Sequence, residues 1–254
     1  MSPYTDVIYG WSLNENDQLD FVSSHYDIFV DITCGMLSFY CRKLKIAQDE
    51  FEASEFFLDF LQSWAAFSKQ HTQVDRIVCL GLGNFAQSPN SSSQVSSKFQ
   101  LLLLLSFAKH AKIANNDEVF VYDPILTCSE KTILTKLNLR LFETNQEGHY
   151  LFEKNTTVYF LPHCPKQLLN NLLWSNWDNL DFVYIIGNSF KNLILNFSVN
   201  QLQSVKFIQQ VSDVITGNRS LHFTKNDKEK FGYFWKNILN KLFRISKFIQ
   251  KFQV

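Results

Sequence analysis

Tyr159-Phe160-Leu161-Pro162-His163-Cys164-Pro165 decides how the rest of the chain is read. Thr157 to Leu161 is a short β-branched and aromatic run, the pattern of a buried strand. Pro162 cannot donate to a sheet ladder, and Pro165 suits the first turn of a following helix. His163 and Cys164 are therefore expected in a strand-to-helix loop beside a helix N-terminus. The free N–H groups there would favour the thiolate of Cys164.

The same punctuation recurs along the chain. Gly81-Leu82-Gly83-Asn84-Phe85 follows Ile77 to Leu80, Asp123-Pro124 follows Glu118 to Tyr122, and Gly187-Asn188-Ser189-Phe190 follows Phe182 to Ile186. Runs apolar on both faces suit parallel strands covered by helices on two sides. In such a sheet the strand ends share one edge, where ligands bind. The predicted fold class is α/β, a Rossmann-like, mostly parallel sheet of five to six strands with helices on both faces. Gly81, Asp123, His163 and Ser189 should line a shared concavity.

The glycine loop is short of a dinucleotide fingerprint. It has no third glycine, a Ser-rich insert from Gln87 to Gln94 delays the helix, and Asp123 lies far beyond Gly83. Ser96 to Ile113 reads as a helix packed on the sheet. Ser129 is placed as a helix N-cap, with Glu130 either a favourable charge in the first turn or a group facing the pocket. Leu139 to Phe142 reads as a strand, with a hairpin-like excursion through Tyr150 to Phe152 after it. A helix is predicted over Val199 to Ile215, ended by Gly217, and an edge strand at Ser220 to Phe223.

Both ends of the chain are predicted to be helical additions. Residues 1–72 are read as a helical N-terminal extension packed on the core. Met1 to Asn14 forms an irregular arm, and a helical pattern runs from Glu15 to about Lys45, broken near Ser23-Ser24. A second helix over Glu52 to Lys69 carries the stripe Phe56, Phe57, Phe60, Leu61, Trp64 and Phe67. The α/β core is assigned to 73–227. In 228–254 the residues Phe231, Trp235, Ile238, Leu242, Ile245, Ile249 and Phe252 alternate spacings of four and three. That seam predicts a basic amphipathic helix docked on the body.

Charge is balanced overall at +0 but not locally. Residues 1–64 hold eleven acids and three bases, and residues 218–254 hold nine bases and two acids. Solvated helix faces are the simpler reading of both, and no global field steers the chain to nucleic acid. The five cysteines are scattered, without metal-ligand spacing, and no leader is evident. The expected compartment is a reducing one, cytoplasmic and also nuclear. No run is long enough for a membrane span. The partner is read as a small molecule or a protein, of unassigned identity.

Taken together, Ile77 to Phe85 with Phe99-Gln100-Leu101, Val121 to Pro124 with Glu130, Tyr159 to Pro165, and Leu180 to Phe190 resemble the sensitivity-to-red-light-reduced (SRR-like) family, in its fungal benomyl-resistance branch. The resemblance covers roughly Val74 to Phe190 and implies a Rossmann-like core with a regulatory role. It implies links to circadian output, light signalling and haem metabolism in plants and animals, and to microtubule-dependent growth in fungi. It supplies no catalytic residue. By the matching motifs it implies ligand-binding roles for Gly81, Gly83, Phe85, Gln100, Asp123, Glu130, His163, Cys164, Asn188 and Ser189. The usual acidic position of the closing motif, around Gly217 to His222, is missing here.

Two chemistries remain as alternatives. Gly-X-Gly followed by an acid ending the next strand also suits a nucleotide- or adenosylmethionine-dependent transferase, with His163 as base and Cys164 as nucleophile. The Cys-Pro dipeptide beside His163 admits haem as a ligand through thiolate or imidazole.

Overall fold

The computed structural model describes residues 9–13, 19–23, 34–68, 73–86, 92–111, 113, 118–153, 155–162, 164–187, 190, 205–212, 215–219 and 241–245. The chain is an α/β protein built on a seven-stranded sheet. Five adjacent strands are parallel: β3 (Arg76–Leu80), β4 (Val119–Tyr122), β5 (Arg140–Leu141), β6 (Thr157–Leu161) and β7 (Val183–Gly187). They lie in the order β5-β4-β3-β6-β7. The chain starts in the middle, winds out to β5, then crosses back to β6 beside β3. That order is the doubly wound one, and its switch point lies between β3 and β6.

Strand alternation sorts the core into two layers. Ile77, Cys79, Val158, Phe160, Tyr184 and Ile186 face α1 (Cys34–Glu52), α2 (Glu55–Phe67), α3 (Ser92–His110) and α4 (Cys128–Lys136). Val78, Leu80, Tyr159, Leu161, Val183 and Ile185 face α5 (Lys166–Ser175), the 3-10 turn Trp177–Phe182 and α6 (Lys206–Ser212). All-apolar runs such as Ile77–Leu80 follow from this two-sided burial.

Phe56, Phe57, Phe60, Leu61 and Trp64 of the α2 stripe lie where their spacing places them; the side chain of Phe67 lies outside the described residues. Ser54 caps the helix by accepting the N–H of Phe57 at 3.3 Å. Phe56, Phe57 and Phe60 are fully buried. Trp64 packs edge-on against Phe107 at 4.8 Å and Tyr184 at 5.4 Å. Each such side chain contributes about 1.5–3 kcal/mol before entropy is subtracted. The helices of the N-terminal part thus share one apolar cluster with the sheet.

Several expectations are corrected. The N-terminal part is not wholly helical: β1 (Tyr9–Leu13) and β2 (Leu19–Ser23) pair antiparallel, Trp11 opposite Phe21. Aromatic and β-branched residues there favour a hairpin over the helix read from Glu15. Ile215 to Arg219 is strand β8, not the end of a helix, and Gly217 lies inside it. The segment Ser220 to Phe223 lies outside the described residues.

The C-terminal heptad seam is also overturned where it is described. Lys241–Ile245 is strand β9, antiparallel to β7 on one side and to β8 on the other. Strand β7 is buried on both faces, so its second edge needs hydrogen-bond partners inside the protein. That demand outweighs local helical periodicity. The remainder of 228–254 lies outside the described residues. Among its described residues the link from β5 to β6 carries no helix and no hairpin strands. Instead Tyr150 sits under the sheet, its carbonyl accepting from Tyr159 Oη at 2.7 Å and from Asn176 Nδ2 at 2.8 Å.

Candidate functional site

The parallel register brings the C-terminal ends of β3, β4, β6 and β7 to one edge. Gly81, Asp123, Pro162 and Gly187 stand there. His163, Asn188 and Ser189 lie outside the described residues, so their side chains are not part of the geometry that follows.

The glycine loop needs its glycines. Gly81 and Gly83 have φ of 75° and 79°, in the left-handed region that L side chains resist. A Cβ on Gly83 would also collide with Oγ of Ser97 on α3. These two turns point the loop's N–H groups inward, in the manner of an anion-binding nest.

The anions in that nest belong to the chain. Asp123 Oδ2 accepts the N–H of Gly83 at 2.7 Å, and its Oδ1 accepts the N–H of Ile125 at 3.0 Å. Glu130, fully buried, goes further. Its Oε1 accepts from Phe85 N at 2.5 Å and Ala86 N at 2.8 Å. Its Oε2 accepts from Asn84 Nδ2 at 2.9 Å, Thr127 N at 3.0 Å and Thr127 Oγ1 at 2.9 Å. Five donors on one buried carboxyl satisfy its hydrogen-bonding capacity.

Glu130 is therefore both a loop clamp and half of a capping box. Thr127, not Ser129, is the N-cap of α4, and its Oγ1 accepts the N–H of Glu130. The Thr-x-x-Glu spacing was the available signal. Asn84 and Tyr40 complete the clamp; Asn84 lies in the glycine stretch but is not among the site residues expected from the sequence, and Tyr40 carries no motif that marks it. Asn84 Nδ2 donates to Ile125 O at 2.6 Å, and Tyr40 Oη donates to Phe85 O at 3.0 Å. Burial, with the Glu130 carboxylate adding to it, pushes the Tyr40 phenol well up. Phe85 itself is fully buried against this wall.

Cys164 behaves unlike the activated thiol its position suggests. Its Sγ–H donates to the carbonyl of Leu80 at 3.1 Å, a bond spanning the switch point from the β6 loop to the end of β3. Burial, reinforced by the Asp123 carboxylate, pushes the thiol up to about 12. The helix N-terminus is outweighed because desolvation penalises the thiolate. The bond to Leu80 and the raised pKa both favour the neutral thiol over the thiolate.

Gln100 on α3 is almost wholly buried at 1% exposure, and neither of its amide atoms has a hydrogen-bond partner among the described residues. Among those residues no group of three His, Cys, Asp or Glu is placed to hold a metal ion, and no helix is long and apolar enough to cross a membrane.

Residues 47–244 match the sequence profile of the SRR1 domain. An SRR1-like protein of Mus musculus is 38% identical over 145 residues, covering 56% of this chain and 55% of that protein. An SRR1-like protein of Drosophila melanogaster is 34% identical over 125 residues, 48% of this chain and 41% of its own. The Arabidopsis thaliana protein SENSITIVITY TO RED LIGHT REDUCED 1 is 29% identical over 161 residues, 59% of this chain and 55% of its own. The chain thus spans about half the length of these curated relatives. No solved structure matches it.

Proposed function

The chain belongs to the SRR1 domain family, and from that membership we propose that it is a regulatory binding protein whose strand-end edge takes a ligand or partner, not a nucleotide-dependent catalyst. One observation carries the reading: the chain's own carboxylates accept the N–H groups of Gly83, Phe85 and Ala86 in and just after the glycine loop. In a nucleotide-binding sheet those N–H groups cradle phosphate, and an acid at the second strand end holds a ribose. Here the acid at that strand end, Asp123, faces the loop instead. A phosphate would have to displace buried, multiply bonded carboxylates of its own sign. This argues against the transferase alternative.

In this proposal Gly81, Gly83, Phe85, Asp123 and Glu130 shape the edge. His163, Asn188 and Ser189 meet what binds there. A regulatory role accords with the name of the Arabidopsis relative, which refers to red-light sensitivity. The motif resemblance to the fungal branch favours a role in microtubule-dependent growth. Haem-related regulation is the second setting, and it would not run through a Cys164 thiolate.

A thermal-shift panel on the full chain with adenosylmethionine, NAD and ATP tests the choice. The proposal expects no stabilisation by any of them. A true cofactor at a hundredfold excess over its Kd would raise Tm by about 5–10 °C, and such a shift would restore the transferase. Separately, the double variant His163→Ala/Ser189→Ala should keep the wild-type Tm yet fail to complement loss of the gene. Full complementation would remove the edge from the function.

A further inference from the structure

The chain's acids exclude phosphate from the glycine loop, but they leave one polar group beside it unserved. Ser97, Gln100, Leu101 and Leu104 form a continuous buried stripe of α3, at 6%, 1%, 0% and 0% exposure. Ser97 abuts Gly83 at the upper end of that stripe. Gln100 lies one turn below Ser97 on that stripe, and helical side chains lean toward the helix N-terminus, the end at which Ser97 meets the loop. Both its Nε2 and its Oε1 lack partners among the described residues. An unserved buried amide is costly, and the apolar stripe around it would accept Leu at no such cost.

We propose that Gln100 is the ligand-reading residue of this edge, and that its ligand is a neutral planar molecule with a hydrogen-bond donor and acceptor side by side. A carboxamide or an aminopurine edge has that pattern, and either pairs with a glutamine amide through two bonds. The inference rests on the ligand-binding reading above and sharpens it. The ligand is free of phosphate because Asp123 and Glu130 already hold the loop. It is recognised by Gln100 rather than by the glycine turn.

Nicotinamide and adenine serve as probes on the full chain, with NAD and AMP as their phosphate-bearing counterparts. Wild type should be stabilised by nicotinamide or by adenine, whichever edge fits, and by neither counterpart. Gln100→Leu should weaken that binding by about tenfold or more, while its ligand-free Tm is equal to or above that of wild type. Absence of a shift with both probes overturns the proposal. So does unchanged binding by Gln100→Leu. A ligand-free Tm that falls on substitution also overturns it, because Gln100 would then be held by internal water as part of the fold. Stabilisation by NAD or AMP alongside the bare probes would instead sink the phosphate-free reading and leave the role of Gln100 standing.

Discussion

Asp123 Oδ2 at the end of β4 accepts the N–H of Gly83, at the end of neighbouring β3, at 2.7 Å across forty residues of chain. The contact ties two strand ends together. Asp123→Ala should orphan the N–H groups of Gly83 and Ile125 and cost about 1–3 kcal/mol for each that water cannot reach. Asp123→Asn keeps one acceptor and should lose less. Urea denaturation of both variants measures the difference, and equal stability of all three proteins would refute the clamp.

Glu130 should matter more than Asp123. Glu130→Ala strands donors from Asn84, Phe85, Ala86 and Thr127 and removes half of the capping box. We expect a loss of about 3 kcal/mol or more. Circular dichroism melts would show it, and a Tm within error of wild type would mean the loop does not depend on this carboxylate.

Gly83→Ala should destabilise on two grounds. Its φ of 79° is costly for any residue with a Cβ, and Ser97 stands in the way. The conformational part alone is of order 1–3 kcal/mol. Adding Ser97→Ala should restore only the steric part. Complete recovery in the double variant would show that the turn itself is unstrained.

The strands were legible because Ile77-Val78-Cys79-Leu80 and Thr157 to Leu161 are apolar on both faces and end in glycine or proline. Their order was less so, since pairing is decided between segments distant in sequence. Glu130 was ambiguous because one carboxylate serves a helix start and a distant loop together, and only the Thr127 spacing hints at the first role. Cys164 misled because a helix N-terminus is visible in sequence and burial is not. Lys241 to Ile245 misled because Leu242 and Ile245 fit a helical seam, while the need of β7 for an edge partner is written elsewhere in the chain.

Cys164 gives a pH signature. Its thiol is raised from an ordinary value near 9 to about 12 in the folded chain. The unfolded chain loses this proton first, so the neutral thiol's stabilisation is intact below about pH 9 and is lost as pH rises toward 12. The alkaline limb of the stability profile should flatten in Cys164→Ser, whose hydroxyl can still reach Leu80 but does not titrate. At neutral pH the exposed Cys128 should react with a thiol reagent well before Cys164. Equal rates would contradict the assignment.

Removing residues 241–254 should uncover the second edge of β7, which β9 otherwise pairs. An open edge on a strand buried on both faces invites pairing between copies. Light scattering should therefore rise at protein concentrations where the intact chain stays monodisperse. A truncated protein that remains monodisperse and equally stable would show that β9 is dispensable.

Amide hydrogen exchange at Gly83, Phe85 and Ala86 tests most directly whether the chain's own acids occupy the glycine loop. The account predicts that these loop amides exchange as slowly as those of the flanking strand β3, that Asp123→Ala releases Gly83, and that Glu130→Ala releases Phe85 and Ala86. Fast exchange of all three amides in the wild-type chain, at the rate of an open loop, would contradict it.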